Sequence, residues 1–220
     1  MPSVLSIFGV GSEKLNTEDT EENEGTERLG ARLAKKITGG KSNPTLNARA
    51  KKVRVLLVDV DGVLTDGRIW LLSRRDGTAS EIKGFSAYDG AGLKLARAAG
   101  LRTGIITGRE SSAVTQRARE CEIEFVYQHC ATKLGALEEI MQTTGASADE
   151  VAYVGDDLPD LPVLQRVGLA AAVANAVPEV KRAAHFVTTR SGGEGAVREV
   201  IELIVKAQGK WSAASQDAKA

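Results

Sequence analysis

From Val53 onward, short aliphatic runs alternate with longer amphipathic stretches, and that alternation leaves few folds open. Val53-Arg54-Val55-Leu56-Leu57-Val58 is almost wholly β-branched or aliphatic, the pattern of a strand buried on both faces. The pattern then predicts a helix over Gly90–Ala99 stopped by Gly100, a strand over Arg102–Ile106, a helix over Ser111–Glu120 and a short strand over Glu124–Tyr127. Lys133–Thr144 carries Leu134, Leu137, Ile140 and Met141 on one helical face and stops before Gly145. Beyond it come a strand (Val151–Val154), a helix (Asp160–Val167), a strand (Leu169–Ala174), a short helix opened by Pro178, a strand (His185–Val187) and a last helix (Gly195–Lys206). The fold class is therefore α/β, a Rossmann-like parallel sheet with helices on both faces. In such sheets ligands bind beyond the carboxyl ends of the strands.

One segment interrupts the alternation. Arg68–Ser73 and Glu81–Ser86 read as two strands around the turn Arg74-Arg75-Asp76-Gly77, a β-hairpin inserted directly after the first strand. Ile69, Trp70, Leu71 and Leu72 make it too apolar for a free ribbon, and an isolated hairpin is marginal in water. It should pack against something, such as a neighbouring subunit.

Ahead of this domain, the charges fall into blocks. Gly11–Gly30 holds seven acidic residues and two basic ones, whereas Ala31–Val55 holds eight basic residues and no acidic one. Both blocks are poor in large apolar side chains, so residues 1–50 read as a disordered charged extension, with a short helix at Thr26–Ile37 as its only ordered candidate. Residues 51–210 form the folded domain, and 211–220 a flexible tail. Gly40-Lys41-Ser42 imitates the end of a Walker loop, but Lys35 stands where that loop needs glycine. Over all 220 residues, 29 basic and 29 acidic side chains cancel, which argues against a global grip on nucleic acid. Two cysteines, Cys121 and Cys130, make no disulfide framework and point to a reducing cytoplasm. No apolar run is long enough to span a membrane, and the start lacks the basic residue of a secretory signal. His129-Cys130 lacks zinc spacing and reads as loop, and Trp70 as packing.

Chemistry-bearing residues collect where strands end. Asp59-Val60-Asp61-Gly62 follows the first strand, Thr107-Gly108-Arg109 the second and Lys133 the third. Gly155-Asp156-Asp157-Leu158-Pro159-Asp160 follows the fourth. One D-x-D is commonly a solvated loop; four functional strand ends in succession are not chance scatter. Asp59 and Asp156, with carbonyl and water oxygens, make a hard shell of the kind Mg²⁺ takes. A carboxylate oxygen of Asp59 would then be free to attack phosphorus, with Thr107 and Lys133 holding the equatorial oxygens. Asp61 would protonate the leaving alcohol and later activate water.

These four segments, Asp59–Gly67, Ile106–Arg109, Lys133 and Val154–Asp160, resemble the four motifs of the haloacid dehalogenase-like phosphatases over about Val53–Gly209. About 45 residues separate the first motif from Thr107, room for the hairpin but for no cap domain. The chain is thus similar to the capless branch, and within it to the 3-deoxy-D-manno-octulosonate 8-phosphate phosphatases. Ser86-Ala87-Tyr88-Asp89-Gly90, Lys94, Arg117 and the closing Gly192–Glu199 match that group further.

The resemblance implies a homotetrameric, cytoplasmic, Mg²⁺-dependent hydrolase of a sugar-acid phosphate in lipopolysaccharide biosynthesis. It implies that Asp59 is nucleophile and metal ligand, and that Asp61 is acid/base, with its carbonyl on the metal. Asp156 is a metal ligand, supported by Asp160 one helical turn on. Thr107 and Lys133 bind phosphate, and Ser86, Ala87, Tyr88, Asp89, Gly90, Lys94, Arg109 and Arg117, with Asp61 and Lys133, line the substrate pocket. A phosphorylated sugar that also bears a carboxylate needs extra cations, and arginine meets carboxylates bidentately. Two departures bear on the sugar: the segment before Asp89 lacks the basic residue frequent in the family, and Glu194 replaces a frequent arginine.

Three other readings compete. A response-regulator receiver would place an acidic pair first and a lone aspartate mid-chain, the reverse of what is found. A catalytically idle oligomerisation module would not retain Asp59, Asp61, Thr107, Lys133 and Asp156 together. A phosphatase for another sugar-acid phosphate, such as sialic acid 9-phosphate, shares the same motifs and stays open.

Overall fold

The computed structural model describes residues 44–217. The charged extension up to residue 43, with the helix expected at 26–37, lies outside the described residues. The first described element, helix α1 (Pro44–Lys52), overlaps the range assigned to the extension. Its Leu46 and Ala50 stand one turn apart and pack on the core, Ala50 with no exposed surface. Arg49 anchors it by donating to the Gly168 carbonyl at 2.7 Å. The folded domain therefore begins about seven residues earlier than the charge pattern indicates.

Strand β1 (Val55–Val58) is buried along its whole length, as its sequence requires. The hairpin β2 (Trp70–Ser73) and β3 (Ala79–Ile82) follows, a separate antiparallel pair with Trp70 opposite Ile82. Its second strand starts two residues earlier than expected and ends at Ile82 rather than Ser86. The turn decides this register: Asp76 Oδ1 accepts from the Thr78 amide and hydroxyl at 2.9 and 2.6 Å, closing the loop one residue past Gly77. Beyond Ile82 the chain leaves the ladder because Phe85 packs against the core and Ser86 caps the next helix.

That helix, α2 (Ala87–Ala98), leads to β4 (Arg102–Ile106), α3 (Ser112–Glu120), β5 (Phe125–Tyr127) and α4 (Lys133–Thr144). Then come β6 (Val151–Gly155), α5 (Leu161–Leu164), β7 (Leu169–Ala172), α6 (Pro178–Ala183), β8 (Phe186–Val187) and α7 (Ala196–Ala207). The six strands of the main sheet are parallel, in the order β5-β4-β1-β6-β7-β8. The direction of winding reverses at β1, flanked by β4 and β6, so a crevice opens at their carboxyl ends. Among the described residues, no cap domain interrupts the sheet. Residues 211–217, expected as flexible tail, form helix α8 (Trp211–Asp217). Ala214 is buried, and the Trp211 ring lies under Lys206 (4.6 Å) and Arg198 (5.9 Å). No helix among the described residues is long and apolar enough to cross a membrane.

Candidate active site

The Asp59 amide donates to the Val154 carbonyl at 3.0 Å, one residue past the end of β1, so the sheet itself holds Asp59. Directly after it, the Val60 carbonyl accepts from the amides of Val63, Leu64 and Thr65, which folds the chain back sharply. Gly62 at this bend has φ +91°, and a Cβ there would stand 2.0 Å from Asp156 Oδ2. Only glycine satisfies both the left-handed backbone and that approach. The closing glycine segment lies on the same loop: a Cβ on Gly192 would meet the Gly62 carbonyl at 1.7 Å.

Asp156 follows β6 and faces Asp59. Below them sits Asp160, 1 % exposed, with both carboxylate oxygens in use. Oδ2 accepts from the amides of Asp156 (2.9 Å) and Asp157 (3.3 Å); Oδ1 accepts from Lys133 Nζ (2.7 Å) and the Tyr153 hydroxyl (2.6 Å). Lys133, the first residue of α4, also brings Nζ to 3.0 Å from Asp59 Oδ1. Thr107, buried past the end of β4, donates its amide to the Tyr127 carbonyl at 2.9 Å. Asp59, Asp61, Thr107, Arg109, Lys133 and Asp156 share one cavity of about 260 Å³.

Three carboxylates, Asp59, Asp156 and Asp160, bring oxygens within 4.8 Å of one another. Burial first, then Asp160, pushes the Asp59 carboxyl from 3.8 up to about 6 despite Lys133. Burial, then Asp59, Asp160 and Asp157, pushes Asp156 up to about 7. Burial alone would push the Lys133 ammonium down, but Asp59 and Asp160 outweigh it and hold it above its ordinary value. The cluster is thus short of positive charge. Asp59 Oδ1 and Asp156 Oδ1 are both buried with no aligned donor, whereas Asp160 has no oxygen to spare. Hard oxygens close together, a charge deficit and a buried Asp156 oxygen without a donor fit a divalent cation such as Mg²⁺ between Asp59 and Asp156. Asp160 and Tyr153 act behind them.

Asp61 lines the same cavity and is held from the hairpin side. Its Oδ1 pairs with Lys83 Nζ, and its Oδ2 lies 3.5 Å from Arg109 Nε. Glu81 pairs with Arg109 in turn and lies 3.5 Å from Lys83. Burial pushes the Glu81 carboxyl up, but Ser111, Arg109 and Lys83 more than offset this and hold it low.

Sequence reasoning missed Lys83, Glu81 and Tyr153. The spacing of Glu81 and Lys83, two apart on a strand-like segment, was the available signal for a shared face. A lone tyrosine in a wholly buried strand was the signal for a hydroxyl with an interior partner.

Within the segment Ser86–Gly90, two side chains cap helices. Ser86 Oγ accepts from the Tyr88 amide at 3.2 Å and caps α2. Asp89, 1 % exposed, accepts from the Arg198 amide at 2.8 Å and so caps α7. Within one chain these groups face structure, not the acidic cluster. Tyr88 is exposed beneath Arg190, 5.5 Å away. Ala87, Gly90, Lys94 and Arg117 line a second cavity of about 890 Å³ beside Arg198 and Trp211, which shares no residue with the first. The expected pocket thus divides: Asp61, Arg109 and Lys133 meet, whereas Lys94 and Arg117 stand elsewhere.

Known proteins resemble this chain over most of its length. A family model described as haloacid dehalogenase-like hydrolase matches residues 122–201. The 3-deoxy-D-manno-octulosonate 8-phosphate phosphatase KdsC of Salmonella typhimurium is 40% identical over 183 residues, 83% of this chain and 94% of the relative. A haloacid dehalogenase superfamily (subfamily III A) hydrolase from Legionella pneumophila superposes with TM-score 0.73 at 45% identity, covering 78% of this chain and 92% of the other. The Moraxella catarrhalis 3-deoxy-D-manno-octulosonate 8-phosphate phosphatase, solved with magnesium, phosphate and KDO, superposes with TM-score 0.73 at 38% identity, covering 78% and 97%. The buried carboxylates at the β1 switch point and these likenesses agree, and the chain belongs to the haloacid dehalogenase-like phosphatases, in the family of the KdsC proteins.

Proposed function

We propose that the chain is a Mg²⁺-dependent phosphoric monoester hydrolase that converts 3-deoxy-D-manno-octulosonate 8-phosphate to the free sugar acid and phosphate. The observation that carries this reading is the buried, charge-deficient carboxylate cluster of Asp59 and Asp156 beside Lys133 and Thr107. Asp59, Asp156 and the Asp61 carbonyl would hold the cation. When bound, it supplies the positive charge that lets a phosphate approach carboxylates.

Asp59 then attacks phosphorus: its oxygen–phosphorus bond forms as the bond to the sugar oxygen breaks. Asp61 gives its proton to that leaving oxygen. In the second half, Asp61 takes a proton from water, whose oxygen displaces Asp59 and releases phosphate. Lys133 keeps a third N–H for a phosphoryl oxygen, and Thr107 offers its hydroxyl to another. Arg109, half-exposed at the cavity mouth, would meet the substrate carboxylate. The likeness to 3-deoxy-D-manno-octulosonate 8-phosphate phosphatases supports the sugar, and the reading extends to a role in lipopolysaccharide biosynthesis in the cytoplasm. The apolar hairpin supports a homotetramer in which neighbouring chains cover each other's sites.

Phosphate release from a panel of sugar phosphates tests the reading. The 8-phosphate of 3-deoxy-D-manno-octulosonate should exceed sialic acid 9-phosphate and carboxylate-free sugar phosphates by at least about 10-fold in kcat/KM. Equal or better turnover of a carboxylate-free sugar phosphate would remove the sugar-acid assignment.

A further inference from the structure

We infer that Lys83, carried on the hairpin, is a positioning residue that orients Asp61 for proton transfer. This rests on reading Asp61 as the acid/base. The Lys83 side chain is 2 % exposed, unusually deep for lysine, and both groups near its ammonium are carboxylates of the site: Asp61 Oδ1 and Glu81 Oε1. A buried ammonium without such partners would be costly, so the pair is mutually enforcing. Glu81 closes the ring by holding Arg109, whose Nε stands beside the other Asp61 oxygen at 3.5 Å.

The consequence is a division of labour between the two Asp61 oxygens. Asp61 stands directly before the bend glycine Gly62, and its side chain is 22 % exposed. Without a partner it would sample several rotamers about χ1 and χ2. Lys83 occupies Oδ1, which leaves Oδ2 as the atom that exchanges the proton. In the first half-reaction, the proton passes from Oδ2 to the sugar oxygen as that oxygen leaves phosphorus. In the second, Oδ2 takes it from the attacking water. Lys83 itself neither gains nor loses a proton. The hairpin thus does more than offer an outer apolar surface: the residue directly after its strand β3 aims the acid, so displacement of the hairpin misaligns the chemistry.

Leaving-group dependence separates this role from a structural one. An alkyl phosphate needs protonation of its leaving oxygen, whereas 4-nitrophenyl phosphate, with an acidic leaving group, does not. Lys83→Met should lower kcat/KM on the sugar phosphate by about 100-fold, within the span of general acid catalysis, and on 4-nitrophenyl phosphate by less than about 10-fold. KM should change little, and Lys83→Arg should recover most of the loss. Lys83→Gln, which is close to lysine in reach and keeps a donor, is read in the same way should the methionine variant fold poorly. Equal losses on both substrates, or a loss confined to KM, would overturn the assignment. Asp61→Asn is the control: if it turns over sugar phosphate at the wild-type rate, the acid/base reading falls on its own account, whatever Lys83 does.

Discussion

Two regions of this molecule reverse the usual placement of charge and apolar surface, and they do so in opposite senses. At the carboxyl ends of β1, α4's approach and β6, the residues Asp59, Lys133 and Asp160 are only 1 to 8 % exposed. In the hairpin, Ile69, Trp70, Leu71 and Leu72 are 54 to 64 % exposed. The first reversal is compensated within the chain down to single atoms: Asp160 spends both oxygens on Lys133, Tyr153 and two amides. What remains uncompensated there is charge, and a cation answers it. The second reversal stays more than half exposed even with Trp70 opposite Ile82, and what it lacks is contact area. A protein surface would answer that. The kind of deficit left over thus tells a ligand site from an assembly site.

The largest expected effect lies in the buried cluster. Asp59→Asn should remove turnover by at least about 10⁴-fold, since an amide cannot serve as the attacking carboxylate and loss of a nucleophile costs on the order of 10⁶ elsewhere. Circular dichroism should show the fold unchanged. Near-wild-type phosphate release would end the nucleophile assignment.

Metal removal comes next. EDTA should silence the enzyme and Mg²⁺ restore it; full activity after thorough demetallation would exclude the metal role. A linked pH effect follows from Asp59 and Asp156, whose carboxyls are raised from 3.8 to about 6 and about 7. Between about pH 4 and 7 the folded metal-free protein therefore binds protons that the unfolded chain has released. More protons bound in the folded state means that stability falls as pH rises through this window. Mg²⁺ takes the place of those protons, so its stabilising effect should be larger near pH 7.5 than near pH 5. At 100 times its dissociation constant, it would contribute about 2.7 kcal/mol. Thermal melts at both pH values, with and without Mg²⁺, measure this, and an equal shift at both would contradict the charge-deficit account.

The smallest effect is expected at strand β2, none of whose residues lines the acidic cavity. Trp70→Glu with Leu72→Lys should give smaller species by light scattering and a partial, several-fold loss of turnover. A wild-type protein that is monomeric and fully active would refute dependence on assembly.

Much of this was legible from one dimension. The aliphatic run ending at Val58 and the positions of Asp59, Thr107, Lys133 and Asp156 at successive strand ends need only period and spacing, because a parallel sheet forces its strand ends to one side. Two boundaries were misplaced for physical reasons. Helix α1 is hidden inside a basic block, because its two packing residues, Leu46 and Ala50, are too few to outweigh the lysines and arginines around them. The end of β3 is hidden because Lys83–Ser86 keeps a strand-like composition while Phe85 and Ser86 serve the core and the next helix instead.

The sequence by itself determined the fold class, the switch point and the atoms able to do the chemistry, because these depend on backbone periodicity and on residue type. Only the tertiary structure decided which carboxylates have oxygens to spare, that Asp89 caps a helix, that Lys94 and Arg117 stand apart from the acidic cluster, and that Lys83 reaches Asp61. Those are relations between residues from 22 to more than 100 positions apart, set by how side chains share a crowded interior, and no local pattern encodes them.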